Sequence, residues 1–242
     1  MVQDDSATFV DRDLRAARFV RSTLAGAMMR GVDVRGLDID APWLADGALL
    51  VNGVDVVPLV EAELNRRFPG RELKQARDPD GLRAAWAAIE RAWAAAVDRA
   101  VSMPEGAVDV SVDGEWSFAQ TLRHLVFATD AWFGKAILRL PRPFHPLGQP
   151  HAEYQTDGFD MSVFATEQPA FAAVLEARAE RQAMVRDFLA TVTPELLAEA
   201  RPTAWSPEHE DPVLHCLHVI FDEEWEHFRF ALRDLDAQSC HA

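Results

Sequence analysis

Four long stretches of this chain carry apolar residues at helical spacing, and each must bury one face against the others, which constrains the fold more than any other feature. The first opens at Asp78-Pro79-Asp80 and places Leu82, Trp86, Ile89, Trp93 and Val97 on one stripe among alanines and charges. The second begins at Ser117, where Ser117 and Gln120 have capping-box spacing, and runs to about Leu138, ahead of Pro141 and Pro143. A third, from about Pro169 to Val192, carries Phe171, Val174, Leu175, Val185, Phe188 and Leu189. The fourth, from about Pro212 to Asp236, buries Leu214, Leu217, Phe221, Trp225, Phe228, Leu232 and Leu235. Helices of this length joined by alternating short and long links describe a four-helix bundle, and such bundles build metal sites between facing helices.

The links are read by their punctuation. Val108 to Val112 is expected as a turn or strand, Thr193-Pro194-Glu195 as a short turn, and Pro202 to Pro212 as an irregular connection. Arg139 to about Glu167, rich in Pro, Gly, His and aromatics, shows no helical period and has the length of a lid or binding loop.

The start of the chain obeys a different rule. Phe9, Leu14, Phe19, Leu24, Met29, Val34 and Ile39 recur at every fifth position, and Ala7, Arg12, Ala17, Ser22, Ala27, Val32 and Leu37 each precede one by two. Neither a helix nor a flat strand has this period, although an irregular amphipathic helix over residues 9 to 26 stands as the alternative. The pattern resembles the pentapeptide-repeat family, which implies a short segment of square β-helix. Seven pentads make fewer than two four-sided coils. Next, Leu49-Leu50-Val51 and Val54 to Val57 flank Asn52-Gly53, a hairpin signal, and Leu59 to Arg67 reads as a short helix stopped by Phe68-Pro69-Gly70. The organisation expected is a pentapeptide-repeat-like β segment and hairpin over 1–60, a short helix and linker over 61–78, and the bundle over 79–242.

Composition narrows the function classes. The 242 residues are 49% hydrophobic, enough for a large core, yet no run reaches the roughly 18 apolar residues of a membrane helix. Met1 to Asp5 has neither the basic start nor the apolar stretch of a secretory signal, so a soluble cytoplasmic protein is expected. The net charge of −15 opposes binding to nucleic acid or an anionic membrane, and Arg12, Arg15, Arg18 and Arg21 are interleaved with Asp11 and Asp13 as on a solvated face. Cys216 and Cys240 form no zinc-type thiolate spacing. There is no serine nucleophile elbow and no glycine-rich phosphate loop, so any catalysis visible here must come from a metal.

Metal-competent side chains on core-facing arcs supply the candidates. His124 shares the inward face of the second helix with Thr121, Leu125, Ala128 and Trp132. The fourth helix offers Asp222-Glu223-Glu224-Trp225-Glu226-His227. Taking Phe228 as the core centre and about 100° per residue, Glu224 falls about 40° away, His227 about 100° and Glu223 about 140°. Phasing favours Glu224 as His227's partner, and the four-residue spacing favours Glu223; both stay open. His215 and His218 phase away from His227 and read as surface residues, His209 and His241 as solvated; His145 and His151 sit in the long loop.

Glu115-Trp116-Ser117, then Thr121-Leu122-Arg123-His124-Leu125, then Glu223-Glu224-Trp225-Glu226-His227 resemble the DinB superfamily of metal-binding four-helix bundles. The resemblance covers about residues 79 to 236. It implies a mainly α fold and a divalent metal (Zn, Ni, Fe or Mn), held by one histidine of the second helix and two histidines four apart on the fourth. His124 matches the first ligand and His227 the last, while Glu223 stands at the remaining position; a register one residue on would put Glu224 and Phe228 there. A low-molecular-weight thiol such as bacillithiol, mycothiol or glutathione is the implied co-reactant, with a small-molecule substrate and S-transferase, isomerase or hydrolase chemistry. A homodimer is an open assembly. The competing expectation is a non-catalytic binding protein with a degenerate metal site, the pentad segment and acidic surface meeting a partner.

Overall fold

A computed structural model describes residues 7–206 and 208–239. Two compact units divide the chain, Met1–Ala41 and Pro42–Ala242.

In the first unit the backbone follows the pentads. Positive φ recurs at Asp11, Ala16, Arg21, Gly26, Gly31 and Gly36, one residue in five. Turn bonds join Ala17 N to Leu14 O, Ala27 N to Leu24 O and Leu37 N to Val34 O. The left-handed conformation costs an L-residue roughly 1–2 kcal/mol, which glycine at 26, 31 and 36 avoids. The alternative of a continuous amphipathic helix is absent. So is the expected β character: no strand occurs over residues 7–40. The physical reason is coil number, since fewer than two turns of a solenoid leave most backbone groups without a neighbouring coil to bond. Phe9, Phe19 and Met29 are about 60% exposed, so within this unit the pentad side chains bury little.

The second unit opens with the hairpin. β1 (Leu50–Val51) pairs antiparallel with β2 (Val54–Asp55), in the register Leu50 to Asp55 and Val51 to Val54. Both turn residues, Asn52 and Gly53, have positive φ, as a two-residue loop between right-twisted strands requires. Helix α1 (Val57–Arg67) starts two residues earlier than expected because Pro58, lacking an N–H, fits a first helical turn.

Four helices form the bundle: α2 (Pro79–Ser102), α3 (Phe118–Thr129), α4 (Phe171–Thr191) and, after the short α5 (Pro194–Ala198), α6 (Val213–Ser239). The Asp78 side chain caps α2 by accepting from Gly81 N. Ser117 and Gln120 close a reciprocal capping box at α3, with Gln120 N donating to Ser117 Oγ and Ser117 N to Gln120 Oε1. Ser117→Ala is expected to cost about 1 kcal/mol, read as a lower denaturant midpoint at unchanged slope.

Side chains from all four helices build one core. Trp86, Ile89 and Trp93 of α2 meet Leu122 and Leu125 of α3, Val185 and Leu189 of α4, and Leu217, Phe221 and Trp225 of α6. Trp86 stacks on Phe221 at 5.8 Å, and Trp93 meets Phe228 edge-on at 5.3 Å. α3 packs on α4 and α6, and α2 on the same two, so the inner faces of α3 and α6 look at each other. None of the helices among the described residues is long and apolar enough to cross a membrane.

Two of these segments differ from expectation. The second helix does not stay α-helical to Leu138: a π-helical stretch, Asp130–Ile137, continues it. Asp130 is buried there and accepts from Arg181 Nε and from His145 N, so the widened turn coincides with a carboxylate that anchors both α4 and the long loop. Residues 107–109 form a 3-10 turn, the first of the two forms expected there. The connection expected to be irregular instead contains an antiparallel pair, β3 (Ala200–Pro202) with β4 (Glu210–Pro212). With Pro at an end of each strand and only three residues apiece, its period is too short to read.

Candidate metal centre

The acidic run on α6 is distributed carboxylate by carboxylate. Asp222 pairs with Lys74 at 2.8 Å. Glu224, 1% exposed, pairs with the buried Arg178 of α4. Glu226 lies 3.5 Å from Arg71 and 3.0 Å from Arg229. Each of these three is met by a permanent cation. Glu223 is met by two imidazoles instead, with Oε2 at 3.2 Å from His227 Nε2 and 3.5 Å from His124 Nε2.

Helical geometry creates this split. Glu223 and Glu224 differ by about 100° around α6, so one points across to α3 while the other points to α4. Glu223 and His227 are four apart and lie on one face, opposite His124, which α3 presents two turns after its cap. The structure therefore brings together His124, Glu223 and His227, whose ligand atoms lie within 4.8 Å of one another, and sends Glu224 elsewhere.

The donor set suits a divalent cation. His124 Nδ1 is 2.9 Å from the Gln149 carbonyl, which can only accept, so Nδ1 carries a proton and Nε2 is the nitrogen turned toward Glu223 and available to a metal. Burial, with the nearby His124, pushes the His227 pKa down against the pull of Glu223 and favours the neutral, ligating form. Burial raises the Glu223 pKa, but His124 and His227, when they carry protons on the Nε2 atoms that face it, outweigh burial and hold the carboxyl well below the usual range. Ligands about 2.1 Å from a tetrahedral ion stand about 3.4 Å apart, which the two separations from Glu223 match.

Aromatic walls surround the cluster. Trp116 lies 4.6 Å from the His124 ring and stacks at 6.0 Å on His227. Phe127, one turn beyond His124, is gripped by the long loop, which folds Phe144, Tyr154 and Phe164 around it, with Trp205 stacked at 5.8 Å. The loop's length thus goes into a second, aromatic core beside the cluster.

The remaining histidines are spent on structure. His145 accepts from Leu147 N, and His151 packs in the aromatic cluster against Tyr154 and Trp205. His209 is exposed beside Glu208, and His215 sits 3.7 Å from Asp211. His218 corrects the surface expectation: it is half-buried, with Nε2 2.8 Å from the Ala76 carbonyl. His241 and Cys240 lie outside the described residues.

Two participants escape residue-type reasoning. Gln149 acts through its backbone carbonyl, for which no sequence signal exists. Arg178 was detectable, because it falls one turn after Val174 on the core face of α4, where a cation requires a carboxylate.

Cys216 is fully buried, and burial, with nearby Asp211, pushes its thiol up to about 11. It is expected to resist a thiol-specific reagent at pH 8 until the protein unfolds, checked by peptide mapping of the labelled chain. Any thiol acting at the cluster therefore comes from outside this residue.

Two imidazoles and a carboxylate on facing helices of a four-helix bundle form a group that could hold a divalent metal ion. Residues 88–231, more than half of the chain, match the DinB superfamily model, and the chain belongs to that superfamily. Neither the curated proteins nor the solved structures give a match.

Proposed function

We propose that His124, Glu223 and His227 hold one divalent metal ion, Zn, Ni, Fe or Mn, and that the protein is a metal-dependent enzyme acting on a small molecule, with a low-molecular-weight thiol as co-reactant. The observation that carries this is the charge pattern on α6: among the described residues, Glu223 alone of the carboxylates in 222–226 meets no Lys or Arg and faces two imidazole nitrogens instead. When bound, such an ion supplies Lewis acidity, lowering the pKa of a coordinated thiol or water and stabilising negative charge.

This chain's own residues supply the setting. Gln149 O fixes the His124 tautomer, and Glu223 offsets part of the positive charge. Trp116 covers the imidazoles and excludes water from that side. Three protein donors leave room for an outside ligand, which separates this set from a closed structural site. The thiol itself is proposed on family membership together with the inert, buried Cys216.

The test is a panel of bacillithiol, mycothiol, glutathione and cysteine with 1-chloro-2,4-dinitrobenzene. In that reaction a sulfur–carbon bond forms, chloride leaves and the thiol proton passes to buffer. One thiol should be consumed faster with metal-loaded protein than with chelated protein. Equal rates across the panel would remove the transferase reading.

A further inference from the structure

Arg123 is a largely covered side chain whose charge has no counter-ion among the described residues. It follows Leu122 on α3, is 9% exposed, and makes no ion pair among the described residues. Its Nε donates to the Leu147 carbonyl at 2.9 Å, and among the described residues its two Nη groups have no partner. The stem of the side chain is covered while the two Nη groups stay open to solvent, so they stand as free donors held in one place by the Leu147 bond. Arg178, whose guanidinium is sealed from water, is by contrast paired with Glu224.

A cavity of 350 Å³ adjoins Arg123, a volume within the range of small-molecule sites. Its polar lining comprises Ser117, Gln120, Gln149, Thr166 and Gln168 besides Arg123. Ser117 and Gln120 belong to the start of α3, a helix of 12 residues whose N-terminal dipole favours negative charge. Gln120 uses Oε1 in the capping box, which leaves its amide N–H groups as donors. The Ser117 hydroxyl accepts from Gln120 N and can donate its own proton. The one carboxylate in the lining, Asp109, is exposed, where solvent screens it.

We infer that this cavity binds the carboxylate of a small molecule, end-on across the two Nη groups of Arg123. Nε is committed to Leu147, so the guanidinium offers the paired Nη edge, whose spacing matches the two oxygens of a carboxylate. Amide and hydroxyl groups from Ser117, Gln120, Thr166 and Gln168 then meet a compact polar body. Gln149 joins this cavity to the metal cluster, lining the one and accepting from His124 of the other. The ligand's role as an anchored substrate rests on the metal-centre reading; its binding does not.

The experiment uses chelated, metal-free full-length protein, so that failure here stays separate from failure of the metal site. Acetate, succinate and inorganic phosphate are titrated calorimetrically at fixed ionic strength. Succinate or acetate should bind wild type, Arg123→Gln should weaken that binding tenfold or more, and Arg123→Lys should recover only part of it, keeping charge but losing the fork. Should Arg123→Gln fail to fold, Thr166→Trp, at an exposed lining position, fills the cavity instead and should also abolish binding. Absence of carboxylate binding to wild type, binding of phosphate alone, or undiminished binding in folded Arg123→Gln or Thr166→Trp would overturn the inference.

Discussion

His227→Ala should weaken divalent-metal binding by a hundredfold or more, with His124→Ala close behind, while both variants stay folded. Structural zinc sites with four ligands bind with about 10–16 kcal/mol, so one ligand of such a set is worth roughly 3 kcal/mol, or about a hundredfold. The fold survives because cohesion comes from Trp86, Trp93, Phe221, Trp225 and their neighbours, not from the imidazoles. Glu223→Gln probes the same set differently. It keeps the shape and removes the charge, so it should weaken metal binding while both imidazoles remain. Competition with a chromophoric chelator measures all three affinities. Equal affinities in wild type and both histidine variants would place the metal elsewhere.

Arg178→Met should lower the unfolding free energy by about 3–5 kcal/mol, the usual cost of leaving one member of a buried pair alone. Arg178 and Glu224 are 4% and 1% exposed, so neither charge has water to fall back on. Burial already pushes the Glu224 pKa up against the pull of Arg178, the direction in which loss of the arginine drives it further. The double variant Arg178→Met with Glu224→Leu should recover most of the loss, since apolar residues of similar volume replace such pairs at little cost. Urea titrations of the three variants give the coupling directly. The pair also has a consequence for the site. With Glu224 drawn to α4, the rotation of α6 is set, and Glu223 and His227 are left facing α3. The single variant should therefore also loosen metal binding, and the double variant should not fully restore it.

Much of this architecture was legible in the sequence, for identifiable reasons. The four apolar stripes gave the bundle because a 3.6-residue period over about 20 residues has no other burial solution. The Asn52-Gly53 turn and the Ser117–Gln120 cap were readable because each rests on local chemistry alone. The choice between Glu223 and Glu224 was not. Helical phase correctly marked Glu224 as the deeper of the two, but depth does not say which neighbour a carboxylate meets, and that neighbour, Arg178, lies 46 residues away in sequence. The pentads were visible as a period and reappear as a positive φ at every fifth residue, yet the β character inferred from them depends on coils that so short a segment does not supply. The long loop showed no period because its order comes from aromatic contacts to Phe127 rather than from any repeating backbone bond.

The most direct measurement is elemental analysis of the purified full-length protein, before and after chelation and after reconstitution with Zn, Ni, Fe and Mn in turn. About one divalent ion per chain is expected, removable by chelator, restored on reconstitution, and absent from the His124→Ala/His227→Ala double variant while its helical circular dichroism persists. No bound metal after reconstitution, or the same metal content in the double variant, would contradict this expectation.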